Sequence, residues 1–405
     1  ICTMLDNNRD VATTYASHML SGDILAALAK QLQKEEDYTD CLKIYLSRKF
    51  SEEMYTRMDQ AGSVTEDRIR IEKVCIDIDA YEKETEEQFA FAERIFQLGN
   101  SVRGYKKDTD VLGNPCMERC LEKSENFVLI GGPGQGKSTI CQFVAQIYRA
   151  CYLRSIGYKE QRVTDFWEEV QREYGYPVDC ARIPFKIVLK DYAAWMKRQG
   201  EYADTSVLKY MQEQILLLTG ETLKIPVIRN MLRQLAWIFL FDGLDEVPES
   251  SNRASVLKNI QTFLTLELSE AECDCMVVAT TREQGYNNDF DEEKYTHLTV
   301  AELSQEMCMR YIDRLFTLIE SQTERRNECL EIVREAITDD RIARLMKTPL
   351  QATIISILVK SGGKPPHERY ALFKEYYETM VRREKQKGVI ATLNDHTEWV
   401  NELHY

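Results

Sequence analysis

The stretch from Asn126 to Ala150, NFVLIGGPGQGKSTICQFVAQIYRA, decides the fold. Phe127–Ile130 is a short apolar run that predicts a buried strand, and from Ser138 to Arg154 apolar residues recur at helical spacing. Between them, Gly131-Gly132-Pro133-Gly134-Gln135-Gly136-Lys137-Ser138 fits GxxxxGK(S/T) in full. A strand, a glycine-rich turn and a helix in that order let backbone N–H groups converge on phosphate oxygens, with the helix N-terminus adding a favourable dipole. Lys137 is placed to reach the β- and γ-phosphates, and Ser138 to offer its hydroxyl to Mg²⁺. We therefore expect ATP or ADP with Mg²⁺, held by Gly132, Pro133, Gly134, Gln135, Gly136, Lys137, Ser138 and Thr139. The alternative, a chance glycine-rich turn, fits the flanking strand and helix poorly. No base-reading motif such as NKxD settles adenine against guanine.

A phosphate cradle needs an acidic partner on a neighbouring strand. Trp237–Phe241 is apolar and ends in Asp242, followed by Gly243-Leu244-Asp245-Glu246. Asp242 would face Mg²⁺, largely through water, and either Asp245 or Glu246 would orient or activate the attacking water. An acidic turn capping the next helix is the plainer alternative for the last two. A third apolar run, Met276–Ala279, leads through two threonines to Arg282, which at the same sheet edge would sense the γ-phosphate; a surface loop arginine is the competing reading. Arg253 is a candidate support for the turn after Asp242, with a solvent-facing helix residue as its alternative.

Strand-like and helix-like runs alternate from Asn126 to about Val300, which predicts a mostly parallel α/β sheet. Its strands are Phe127–Ile130, Phe185–Leu189, Trp237–Phe241, Met276–Ala279 and, at an edge, His297–Val300. Helices are expected at Ser138–Arg154, Val207–Leu218 and Ala254–Leu268. After Ser304 only helices follow: Gln305–Leu318, Glu324–Ile337, Ile342–Met346, Leu350–Val359 and Arg369–Gln386, punctuated by Pro349, Pro365 and Pro366. Ahead of the sheet, Thr13–Gln33 and Tyr38–Lys49 read as helices and Arg70–Ala80 as a strand. Acidic helix-favouring sequence then runs to Leu98, and Asn100–Leu112 reads as a linker. The expected organisation is a mainly helical region over 1–110 with one strand near 71–79, a P-loop NTPase parallel sheet with flanking helices over 111–303, and a helical domain over 304–405.

The 405 residues, 44% of them hydrophobic, suffice for two or three domains. No apolar run of membrane-spanning length and no secretory signal stands out, so no membrane is expected. A net charge of −14 argues against direct nucleic-acid binding by this segment. Twelve cysteines with no paired CxxC spacing, and only five histidines, read as buried small hydrophobes in a reducing, cytoplasmic compartment rather than as zinc ligands. Because the chain starts at Ile1 and Trp399–Tyr405 reads as a helix in progress, we expect both ends to be cuts in a longer polypeptide.

Taken together these residues resemble the NACHT branch of the STAND NTPases, from about Asn126 to Lys387. The resemblance is carried by the glycine-rich segment, by FLFDGLDEVP at 239–248, by IPFKIVLKDYA at 183–193 and by IPVIRNML at 225–232. It extends to KTPLQATI at 347–354, KPPHERYALFKEYY at 364–377 and RREK at 382–385. TTREQGY at 280–286 is similar to the family's TSRPQGY, with Thr281 and Glu283 as departures. The resemblance implies that the helices after Ser304 cap the nucleotide, that Pro349 packs on the base, and that a winged-helix region follows beyond Tyr405; for Pro349 a plain helix-starting proline at N1 is the competing reading. The wording GGPGQGKSTICQF, with KVCIDID at 73–79 ahead of it, most resembles bacterial antiviral STAND proteins of the AVAST group. That implies an effector domain before residue 1, a region after residue 405 that binds a phage protein, and self-association on activation. The expected function is thus a slowly hydrolysing ATP switch of an antiphage sensor. The alternatives are a P-loop small-molecule kinase and a nucleic-acid-stimulated ATPase.

Overall fold

A computed structural model describes residues 38–56, 69–100, 106–109, 115–118, 126–200 and 202–386. The helix expected at Thr13–Gln33 and the chain end from Trp399 lie outside the described residues. The chain opens with α1 (Tyr38–Glu52), α2 (Ile71–Val74), β1 (Asp79–Glu82), β2 (Phe89–Ala90) and α3 (Phe91–Gly99), then a hairpin of β3 (Lys106–Thr109) and β4 (Pro115–Glu118). There follow β5 (Asn126–Ile130), α4 (Lys137–Ser155), α5 (Gln161–Glu173), β6 (Ile183–Val188), α6 (Leu189–Arg198), α7 (Val207–Thr219) and α8 (Ile225–Gln234). β7 (Trp237–Asp242), α9 (Arg253–Thr262), α10 (Leu268–Glu270), β8 (Cys275–Thr281) and β9 (Thr296–Val300) complete the α/β part. The last helices are α11 (Gln305–Ile319), α12 (Thr323–Ala336), α13 (Asp340–Arg344), α14 (Pro349–Lys360) and α15 (Arg369–Gln386).

The sheet has seven strands in the order β2-β1-β9-β5-β8-β7-β6. The run from β9 to β6 is parallel; β1 and β2 join it antiparallel. Every residue of β5, β7 and β8 is buried, as expected for central strands covered on both faces. The P-loop follows β5, Asp242 ends β7 and Thr281 ends β8, so adjacent parallel strands deliver these residues to one sheet edge. This is an α/β fold of the P-loop NTPase type with flanking helices.

Several expectations need correction. His297–Val300 is not an edge strand: β9 lies between β5 and β1. Arg70–Ala80 is not one strand. Ile71 and Val74 are buried one helical turn apart in α2, and the ladder begins only at Asp79. The alternation of buried Ile76, Ile78 and Ala80 is real, but β9 ends at Val300, opposite Ala80, so the residues before Asp79 have no ladder partner. The acidic run read as helix up to Leu98 first forms β1 and β2, and α3 starts only at Phe91, where Asp77 accepts from the Ala92 and Glu93 N–H groups at 2.8 and 3.0 Å. Part of the linker at Asn100–Leu112 is the strand β3. The helix expected over Ala254–Leu268 holds a π turn at Phe263–Glu267 that separates α9 from α10.

Two hydrophobic clusters divide the buried side chains. The larger fills both faces of the sheet and includes α1 and α3. The smaller is built from α11 to α15 together with Ile69, Val74 and Ile76 of the segment before β1.

Candidate nucleotide site

The P-loop turns as its glycines permit. Gly134 and Gly136 sit at φ +74° and +86°, a region open to glycine at little cost. Gly136 then acts as the N-cap of α4. Lys137 folds back so that Nζ donates to the Gly131 and Gly132 carbonyls at 2.7 and 3.0 Å. Gln135 braces the loop, accepting from the Gly132 N–H and donating to Val300 O at the end of β9. Burial pushes the Lys137 ammonium below the usual lysine range; the nearby Asp245 opposes that shift and Arg282 adds to it. A lysine in this environment gains from an incoming anion.

Asp242 is 5% exposed. Its Oδ1 accepts from Ser138 Oγ and from Thr280 Oγ1, each at 2.8 Å, and Thr280 Oγ1 in turn accepts from the Gly243 N–H. Gly243, at φ +81°, turns the chain so that Asp245 and Glu246 follow in a 3₁₀ turn on the same side. Arg282 Nε pairs with Asp245 Oδ2 at 2.7 Å, and Lys190 Nζ lies 3.9 Å from Glu246 Oε2. Ser138, Lys137 and Asp242 thus converge, while Arg282 and Asp245 engage each other.

The residues present fit Mg²⁺. The Ser138 hydroxyl hydrogen is committed to Asp242, which leaves oxygen lone pairs available, and hydroxyl and carboxylate oxygens are the hard donors that this ion takes. Pro133 and Thr139 lie in the loop and the first turn of α4, with Pro133 exposed. Pro349 starts α14 behind the N-cap Thr348, whose Oγ1 accepts from the Gln351 N–H. Its ring lies over the P-loop: a Cβ placed on Gly136 would stand 3.6 Å from Pro349 Cγ and 3.7 Å from Ile78 Cγ2. The Leu350 N–H donates to Gly134 O at 3.2 Å, and a Cβ on Gly134 would fall 2.6 Å from Leu350 Cβ.

No family model and no curated protein matches the chain. Solved structures do match. PCH-2 of C. elegans gives a TM-score of 0.36 at 13% identity, over 73% of this chain and 68% of that one. The Aeropyrum pernix ORC1 protein in complex with DNA gives 0.34 at 16%, over 68% of this chain and 64% of that one. A chain of the E. coli MS115-1 HORMA:CdnC:Trip13 complex gives 0.31 at 10%, over 61% and 76%. Likeness at this level transfers no residue roles.

Three residues at the site do what the sequence reading had not assigned to them. Ile78 flanks the P-loop from the segment before β1. Lys186, inside the apolar run of β6, places Nζ 3.5 Å from Asp242 Oδ2. Arg253 is 5% exposed and donates from Nη2 to Gly285 O at 2.8 Å and to Asp289 at 2.6 Å. It therefore braces the loop that follows Arg282, neither facing solvent nor supporting the Asp242 turn as expected. A signal for one further feature was present. Gln142, Gln146 and Arg149 recur at i, i+4 and i+7 on α4, so they share one face, and all three are buried. Gln142 Nε2 donates to the carbonyls of Glu53 and Tyr55, and Gln146 Nε2 to that of Phe50. Arg149 Nη1 donates to Glu53 Oε2 and to Gln146 Oε1, each at 2.7 Å. The two glutamines satisfy backbone oxygens at and just beyond the end of α1, which have no intrahelical partners.

Proposed function

We propose that this chain is the nucleotide-dependent switch of a STAND-type NTPase with a NACHT-like module, binding ATP or ADP with Mg²⁺ and hydrolysing ATP slowly. The observation that carries this reading is the seat of α14 on the P-loop, where Leu350 bonds Gly134 and Pro349 lies beside Gly136. A helix in contact with the phosphate cradle belongs to the smaller core, so a change at the phosphates bears directly on how that core sits. Lys137 and the backbone of residues 132–139, through the N–H groups of all but Pro133, bind the phosphates, and Ser138 and Asp242 hold Mg²⁺, largely through water. Bound Mg²⁺ supplies charge neutralisation to the phosphates. Asp245 or Glu246 orients the attacking water. Arg282, released from Asp245, meets the γ-phosphate, which makes the Arg282–Asp245 pair a feature of the state without triphosphate.

The resemblance to antiviral STAND proteins supports a finer reading: a cytoplasmic antiphage sensor that self-associates when a viral protein binds beyond residue 405, and so activates an effector before residue 1. The test compares wild type with Lys137→Ala and Asp242→Ala for co-purifying nucleotide and ATP turnover. Tightly held adenine nucleotide and slow turnover in the wild type, with the nucleotide lost in Lys137→Ala, is the expected result. Fast turnover without a partner, or strong stimulation by DNA or RNA, would sink the switch.

A further inference from the structure

Lys186 belongs to IPFKIVLKDYA at 183–193, a segment to which the sequence reading gave no role at the site. It lies in IPFKIV, a strand buried along most of its length, where a lysine side chain is costly unless it has a partner. Strand register sets Val188 beside Asp242 and Lys186 beside Leu240, two residue pairs further back in the sheet and on the same face as Val188. From there the side chain, 9% exposed, brings its ammonium to 3.5 Å from Asp242 Oδ2, on a side chain itself 6% exposed. The two oxygens of Asp242 are therefore treated differently. Oδ1 takes two neutral hydroxyl donors, Ser138 and Thr280, and Oδ2 faces the cation.

The charges at this sheet edge pair off. Arg282 is matched with Asp245, Lys190 lies near Glu246, and Lys186 faces Asp242. Lys137 is left on backbone carbonyls, its charge uncancelled by a directly bonded acid. An arriving polyphosphate thus meets an ammonium held on carbonyls and an Asp242 that already faces a cation. Remove Lys186, and the phosphates face a buried carboxylate that only Mg²⁺ can screen.

We propose that Lys186 is a resident counter-ion for Asp242, standing in for part of the Mg²⁺ charge, so that the site takes up and keeps nucleotide with little dependence on Mg²⁺. The inference rests on the nucleotide-binding reading above and deepens it, since it assigns Lys186 a positioning role at the same site. Two unit charges about 4 Å apart near a protein surface interact strongly enough to change affinity by a hundredfold or more, roughly.

The experiment measures affinity for fluorescent N-methylanthraniloyl-ADP on the chain as it stands, in Mg²⁺ and in EDTA. In the wild type, EDTA weakens binding by no more than about tenfold; in Lys186→Met it weakens binding by about a hundredfold, and Lys186→Arg restores wild-type behaviour. A purely structural lysine would lower stability in Lys186→Met without changing the Mg²⁺/EDTA ratio, and that outcome overturns the proposal. Where Lys186→Met does not fold, Lys186→Gln is read in its place. Independently of any variant, a wild type that loses more than about a hundredfold in EDTA also overturns it. A wild type that binds no adenine nucleotide under either condition brings down this inference and the nucleotide reading together, whereas intact binding with an unchanged ratio brings down only this one.

Discussion

The P-loop and its helix are gripped on two sides, and the two grips differ in kind. On the α1 side, Gln142, Gln146 and Arg149 give buried polar side chains to Phe50, Glu53 and Tyr55 through four hydrogen bonds of 2.6 to 2.9 Å, that of Arg149 to Glu53 being also an ion pair. On the α14 side there is one backbone hydrogen bond at 3.2 Å and the apolar contact of Leu350 and Pro349 with the loop. Buried polar contacts are expensive to break, because each partner is left without water. Apolar contacts around a single bond part and re-form readily. The contrast makes the contact of α1 with α4 the firmer of the two and the seat of α14 on the loop the weaker.

Breaking the firm side should have the largest effect. Arg149→Met leaves the Glu53 carboxylate without its cation, and should cost about 3–5 kcal/mol in denaturant unfolding. A loss of less than about 1 kcal/mol would mean that the two grips are equal after all. Acid sharpens the same comparison. Burial would raise the Glu53 carboxyl, but Arg149, with Lys186 and Lys49, outweighs it and holds the pKa down to about 2. Glu53 therefore contributes stability that is present above its unfolded value of 4.5 and is lost as pH falls through about 2, roughly 3 kcal/mol in all. Unfolding curves between pH 5 and pH 2, about those limits, should show this component in the wild type and not in Glu53→Gln. Asp77 runs the other way. Burial lifts its pKa to about 6 against its N–H and Tyr176 donors. Its contribution is whole below 3.8 and is lost as pH rises through about 6, so Asp77→Asn should flatten the stability profile across that window.

The loose side calls for a matched pair. Gly134 and Gly157 have nearly the same backbone angle, φ +74° and +73°, but a Cβ on Gly134 meets Leu350 and one on Gly157 meets nothing within 4 Å. Alanine should cost about 1–2 kcal/mol of backbone strain at both. Gly134→Ala should lose about 1–3 kcal/mol more, and protease should cut within 349–360 sooner. Equal losses would show that α14 is not seated on the loop in solution. The smallest effect is expected at the surface: Lys190→Ala, losing a 3.9 Å contact between exposed groups, should change stability by less than about 0.5 kcal/mol.

The sheet was legible in the sequence because its strands are buried on both faces and read as plain apolar runs. The glycine-rich turn after β5 and Asp242 at the end of β7 were legible in place because each closes a plain apolar run with residues that turn the chain. What stayed hidden depended on partners far along the chain. Nothing near Ile76–Ala80 reveals that β9 ends at Val300 and so sets where β1 begins. Lys186 looks like an interruption of a strand until Asp242 is brought beside it by β7. Gln142, Gln146 and Arg149 do show one helical face, but a polar stripe on a helix usually faces water, and only the end of α1 makes it an inner face.

β1 has a consequence for how copies of this chain could meet. Left bare, β9 would offer its backbone to any passing strand, right beside the P-loop strand. Asp79–Glu82 occupies that seam, and the strand outside it, Phe89–Ala90, is only two residues long. On this side, among the described residues, there is too little ladder to share. Any joint formed here between copies would have to be written in side chains, which single substitutions can erase while the sheet stays whole.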